Sequence, residues 1–193
     1  MITSNAAITA DFRLENRDGH NPTRVIMKTS NGCYFIFSPL SPFYSTPSPD
    51  RRIQTPLTLI STDTSPSASP AVFSVSASTS NGPLTVSFPG APSSPFSHLK
   101  LSGKTSNSPA KIKLHPSYEG SISLKTNLFT PVVVQKSTSD PSGKGRHRNV
   151  EVRRMVKGTL EGGVWWGDDP SKEEGKGTLE VSTSNGKNEV DLS

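Results

Sequence analysis

Phe73-Ser74-Val75-Ser76-Ala77-Ser78-Thr79-Ser80-Asn81-Gly82-Pro83-Leu84-Thr85-Val86-Ser87-Phe88 decides how this chain reads. Apolar side chains alternate with small polar ones on both sides of Thr-Ser-Asn-Gly. A period of two predicts two strands, each with one buried face. The same turn returns at Thr29-Ser30-Asn31-Gly32 and Thr183-Ser184-Asn185-Gly186. Thr3-Ser4-Asn5-Ala6 and Thr105-Ser106-Asn107-Ser108 lack the glycine, and Thr126-Asn127 is a worn copy. Successive motif threonines lie 26, 50, 26 and 78 residues apart, close to one, two, one and three times the first interval. A recurring interval of this size marks stacked repeats.

With the copies aligned on the turn asparagine, the third, fifth and seventh following residues form one apolar register. They are Ile8, Ala10, Phe12; Leu84, Val86, Phe88; Ala110, Ile112, Leu114; and Asn188, Val190, Leu192. The worn copy gives Thr130, Val132, Val134, and the Asn31 copy gives Tyr34, Ile36, Ser38. Alternation also leads into the turns, as in Val25 and Met27, Leu99 and Leu101, Ile122 and Leu124, and Leu179 and Val181. The unit is strand, Thr-Ser-Asn-Gly, strand, with Asn and Gly chosen for tolerance of positive φ at a sharp corner. Two all-β architectures follow. One is a short β-solenoid or β-roll whose corners stack. The other is a β-sandwich of separate hairpins with Asn-Gly turns. The regular spacing favours the first.

Residues 1–193 read as a single β-repeat domain with loop insertions near 38–56, 61–70, 89–97 and 137–149. The first three are rich in proline, which lacks a ladder donor, and carry too little apolar surface to fold alone. A short strand, Leu57-Thr58-Leu59-Ile60, separates the first two. The 78-residue interval holds further strands at 120–125, 131–136, 150–156 and 158–166. Hydrophobic content of 31% fits a chain whose loops do not all reach a core, and a net charge of +5 gives weak attraction to anions. Cys33 stands alone, so no intrachain disulfide forms, and it reads as a small buried hydrophobe. Neither a secretory leader nor a long apolar run is present, which by default points to the cytoplasm unless an N-terminal segment is missing. The first copy starts at residue 3 with no cap ahead of it, as expected of a fragment of a larger parent.

Candidate chemistry is thin. Lys144, Arg146, His147, Arg148, Arg153, Arg154 and Lys157 form a basic segment; Arg146, Arg148, Arg153 and Arg154 could meet an anionic polymer, or form a solvated face. Trp165 and Trp166 sit in Gly162-Gly163-Val164-Trp165-Trp166-Gly167. Neighbours on a strand face opposite ways, so one ring packs inward and the other could stack on a sugar. Asp168, Asp169, Glu173 and Glu174 lack the order of a calcium loop. His20, His98, His115 and His147 are dispersed, without metal spacing. Asp11, Glu180 and Asp191, on strand sites expected to face outward, are the carboxylates a polysaccharide hydrolase would draw on. Ser38, Ser41, Thr46, Ser48, Thr55, Ser65, Ser69 and Ser94 each precede proline and could accept phosphate. No catalytic, cofactor or metal residue is assigned.

Three stretches carry a resemblance beyond the turn motif: Leu114-His115-Pro116-Ser117-Tyr118-Glu119-Gly120-Ser121-Ile122-Ser123-Leu124-Lys125-Thr126, Asp140-Pro141-Ser142-Gly143-Lys144-Gly145-Arg146-His147-Arg148, and Gly163-Val164-Trp165-Trp166-Gly167. With the repeated turns, the chain resembles an uncharacterised fungal domain family with adhesin-like β-repeats. More loosely it is similar to bacterial adhesin-like domains. The resemblance implies a β-solenoid-like fold and no assigned activity. The expected role is a non-catalytic scaffold or interaction module, the alternative a carbohydrate-binding or carbohydrate-active protein using Trp165 or Trp166.

Overall fold

A computed structural model describes residues 22–30, 72–88, 98–169 and 176–192, together with the backbone of 2–3, 13–16, 33–36 and 58–61. These residues contain no helix; the protein is all-β, with mixed sheets. The strands are β1 (Ile2–Thr3), β2 (Arg13–Asn16), β3 (Thr23–Thr29), β4 (Cys33–Ile36), β5 (Thr58–Ser61), β6 (Val72–Thr79), β7 (Leu84–Ser87) and β8 (His98–Thr105). They continue with β9 (Ala110–Lys113), β10 (Gly120–Thr126), β11 (Val132–Gln135), β12 (Arg148–Val156), β13 (Thr159–Trp166), β14 (Gly177–Thr183) and β15 (Asn188–Leu192).

An eight-stranded sheet runs β1-β3-β6-β8-β14-β10-β13-β12, a five-stranded sheet runs β11-β15-β9-β7-β4, and β2 pairs with β5. The two strands flanking the motifs at 79–82, 105–108 and 183–186, and the worn copy at 126–127, belong to different sheets, so these motifs are corners and not hairpin turns. Pairing is parallel from β1 to β10 in the larger sheet and throughout the five-stranded one. Only β10-β13 and β13-β12 in the larger sheet are antiparallel.

Parallel sheets are ordinarily covered on both faces. Here alternation leaves one face open: β6 is buried at Phe73, Val75, Ala77 and Thr79, and β8 at Leu99, Leu101, Gly103 and Thr105, with half-buried or exposed residues between. The core lies between the two sheets. Val25, Val75, Leu101, Leu179 and Ile122 are successive register partners in the larger sheet. Val86, Ile112, Val190 and Val133 are successive partners in the smaller one.

Thr29, Thr79, Thr105, Thr183 and Thr126 are also successive register partners, and all five are buried. Beyond them the turn asparagines are linked. Asn107 Nδ2 donates to Asn81 Oδ1 at 2.8 Å, and Asn185 Nδ2 donates to Asn107 Oδ1 at 2.9 Å. Main-chain bonds follow the same path, Asn81 N to Ser30 O, Asn107 N to Ser80 O and Asn185 N to Ser106 O.

Three expectations are corrected. Among the described residues no non-glycine has positive φ, and neither Gly82 nor Gly186 does. Close approach, not φ, demands the glycine at position 186: a Cβ on Gly186 would lie 2.0 Å from Ser108 O. Second, Val132 is exposed while Val133 packs on the core. The worn turn lacks the serine, so Asn127 follows Thr126 directly and counting from Asn slips by one. Counted from the threonine, Pro131 and Val133 match Ala110 and Ile112. Third, the units do not stack in chain order. The C-terminal β14–β15 unit lies between β8–β9 and β10–β11. Glycines admit it there, since a Cβ on Gly177 would meet Tyr118 Cε2 at 2.7 Å and Leu99 O at 2.8 Å.

The insertions near 38–56, 61–70 and 89–97 lie almost wholly outside the described residues, as do the Asn31-Gly32 corner, the Cys33 side chain, His20 and the Ser/Thr-Pro sites. The expected loop at 137–149 is strand-free only to His147, because β12 begins at Arg148.

Candidate functional site

The three stretches beyond the turn motif converge at the β12 end of the larger sheet. Asp140 opens a tight loop by accepting from Ser142 N at 3.0 Å and Ser142 Oγ at 2.8 Å. Gly143 and Gly145 then take φ of 69° and 68°, which side chains resist. That path returns Arg146 to Asp140, where Nε donates to Oδ2 and Nη2 to Oδ1, each at 3.1 Å. This two-pronged pairing is the strong form of an arginine–carboxylate contact. The Arg146 hydrogen bond, foremost, holds the Asp140 carboxyl well below the usual carboxylate range. Only 2% of the Asp140 side chain is exposed.

Arg146 Nη1 also stands 3.6 Å from Glu119 Oε1, and Lys176 pairs with Glu119 Oε2. Burial lowers the Lys176 pKa even so. Glu119 Oε1 accepts from Trp166 N at 3.3 Å, and Trp166 Nε1 donates to Pro116 O at 3.3 Å. Arg148 lies over the Trp166 ring, 5.5 Å from its centroid, and donates to Lys136 O at 3.0 Å and to Leu192 O. A cation over an indole face is attracted by the ring quadrupole. Gly162 belongs to the same construction, because a Cβ there would lie 2.1 Å from Glu151 O where β12 bulges between Val152 and Arg154.

His115 sits behind this cluster, 3% exposed, with Nδ1 3.0 Å from Ser117 Oγ. Phe88 and Tyr118 meet it edge-on at 6.4 and 6.0 Å between centroids. Burial pushes its pKa down to about 4, so the ring is neutral at pH 7. Burial, with Lys176 and Lys100 nearby, also lowers His98.

The basic segment is therefore not one surface. Arg146 and Arg148 are engaged internally, Arg153 Nε donates to Glu151 at 2.9 Å, and Arg154 stands 3.7 Å from Glu161. Trp166 is buried and Trp165 half-buried. Asp191, expected to face outward, is 9% exposed and 3.6 Å from Lys136 Nζ. Glu180 is exposed on β14, in the other sheet, so the two carboxylates are not brought together by their strands. Asp168 and Asp169 are exposed, while Asp11, Glu173 and Glu174 lie outside the described residues. Among the described residues no three His, Cys, Asp or Glu side chains gather in a way that could hold a metal ion.

Sequence reasoning missed Glu119, Asp140 and Lys176. Only Asp140 left a signal, as an aspartate heading a Pro-Ser-Gly-Lys-Gly loop. What the cluster can do, as built, is clasp: its charges meet one another and tie 115–119, 140–148, Trp166 and Lys176 together. No protein-family model, curated protein or solved structure matches the chain.

Proposed function

We propose that this chain is a non-catalytic, adhesin-like interaction module built as a short β-solenoid-like stack, of the kind the fungal resemblance implies. The observation that carries this reading is the asparagine line Asn81–Asn107–Asn185 beside the buried threonine column. Such in-register ladders give a stiff body from repeated backbone contacts, suited to displaying a surface instead of closing on a substrate. Screening the full chain on glycan and protein arrays, with a hydrolase screen on polysaccharides, tests it. The expected result is binding without turnover. Polysaccharide cleavage that disappears in Glu180→Gln or Asp191→Asn would end the non-catalytic reading.

A second reading, carbohydrate binding through tryptophan, is supported by Trp165 alone. Its ring is half-buried on β13, whereas Trp166 is buried beneath Arg148. Loss of a glycan signal in Trp165→Ala would favour it. Retention would remove it.

A further inference from the structure

The open face of the larger sheet carries cations in a pattern that no stretch of the sequence displays. Lys28, Ser78, Lys104, Ser182 and Lys125 are successive register partners across β3, β6, β8, β14 and β10. The row alternates cation, hydroxyl, cation, hydroxyl, cation. A second row, Arg24, Ser74, Lys100, Thr178 and Ser121, begins the same way. Strands in a sheet are about 4.8 Å apart, so like members of a row recur about every 10 Å, and the rows lie about 13 Å apart along the strands. All five cations are exposed, and among the described residues none takes part in an ion pair. Between the rows run Ile26, Ser76, Ser102, Glu180, Ser123 and Glu161, so an apolar side chain on β3 and acidic charge on β14 and β13 disfavour an anion in the middle. A shallow depression of about 230 Å³ opens where Lys104, Ser182 and Lys125 meet Ser102, Glu180 and Ser123.

We infer that this face binds an anionic polysaccharide with one carboxylate on every second sugar, laid across the strands along the Lys28–Lys125 row. An extended pyranose chain advances about one strand spacing per ring. Charged sugars then meet Lys28, Lys104 and Lys125, and neutral sugars meet the Ser78 and Ser182 hydroxyls. Nucleic acid fits less well. Duplex phosphates recur about every 3.4 Å along each strand, and no residue of the three rows offers an aromatic platform for bases. The inference rests on the interaction-module reading and names the partner class for it.

The test uses the full chain with hyaluronan oligosaccharides as probe, titrated at several salt concentrations. Neutral dextran, polygalacturonate and oligo-dT serve as comparisons. Lys104→Gln with Lys125→Gln is expected to weaken hyaluronan binding about tenfold or more and to reduce the salt slope by about two. Glu180→Gln tightens binding. Arg153→Gln with Arg154→Gln, on the β12 edge, changes it less than about twofold. Circular dichroism of each exposed-site variant keeps folding separate from binding. Unchanged affinity in the Lys104/Lys125 variant overturns the site, as does equal binding of oligo-dT or dextran. Tighter binding of polygalacturonate, charged on every sugar, overturns the spacing. Array binding through other residues with no hyaluronan affinity defeats this inference and leaves the interaction-module reading standing. Silence in both ends both.

Discussion

At the corners, Thr29, Thr79, Thr105, Thr183 and Thr126 stand side by side, and Asn81, Asn107 and Asn185 are joined by side-chain hydrogen bonds. At the β12 end, nothing repeats. Arg146 reaches Asp140 and Glu119, Lys176 reaches Glu119, and Arg148 covers Trp166. The corner contacts are of one kind throughout, threonine beside threonine and asparagine beside asparagine. Contacts at the β12 end are unique, and they fit one arrangement. The pairing of Gly120 with Gly177 beneath Tyr118, with Lys176 held at Glu119, specifies that β14 lies beside β10. The recurring motif therefore sets the corners in register, and a singular end sets their order.

The sharpest way to break the corner side is Gly186→Ala. Its Cβ would lie 2.0 Å from a backbone oxygen that cannot swing away. The expected loss exceeds about 3 kcal/mol, above the usual overpacking cost, measured by urea denaturation. Gly143→Ala makes the contrast. Its φ of 69° strains a side chain, but a Cβ there meets nothing within 4 Å, so the loss is about 1 kcal/mol.

Acid probes the β12 end. The His115 pKa falls from its ordinary 6.5 to about 4 on folding, so the unfolded chain binds the proton more readily. Stability is then complete above pH 6.5 and declines as pH falls toward 4, by about 3 kcal/mol in total. His98, also lowered, adds in the same direction. Asp140, lowered too, contributes stability above its unfolded value of 3.8 that is lost on further acidification. His115→Gln should flatten most of the slope between pH 6.5 and 4 in urea midpoints. An unchanged slope would exclude His115 as its source.

Asn107→Ala removes two side-chain hydrogen bonds from an exposed line, so a loss of about 1 kcal/mol is expected in the same denaturation assay. Arg146→Ala acts on the β12 end, where it removes both prongs of the Asp140 pairing. Its signature is local: amides of β12 and β13 exchange faster while those of β6 and β8 keep their protection, read by hydrogen exchange. Equal acceleration at the corners would erase the distinction between the two regions.

Much of the architecture is legible along the chain. Leu84, Val86 and Phe88, or Ala110, Ile112 and Leu114, declare their buried face by alternation alone, and both sets are buried. The demand for glycine was legible at the corner but its cause was not, because Ser108 approaches Gly186 from 78 residues away. Arg146 and Arg148 read as part of a basic patch because sequence counts charge without showing what meets it. The Lys28–Lys104–Lys125 row stayed hidden for the opposite reason, as each cation comes from a different strand.

By itself, then, the sequence determined the strands, the places where they turn and the apolar face of each, since these follow from a period of two and from four-residue turns. Only the tertiary structure decided the neighbours. Equivalent corners carry no mark of which one lies beside which, and that choice falls to packing of Gly177 under Tyr118 and to charges joined across the fold.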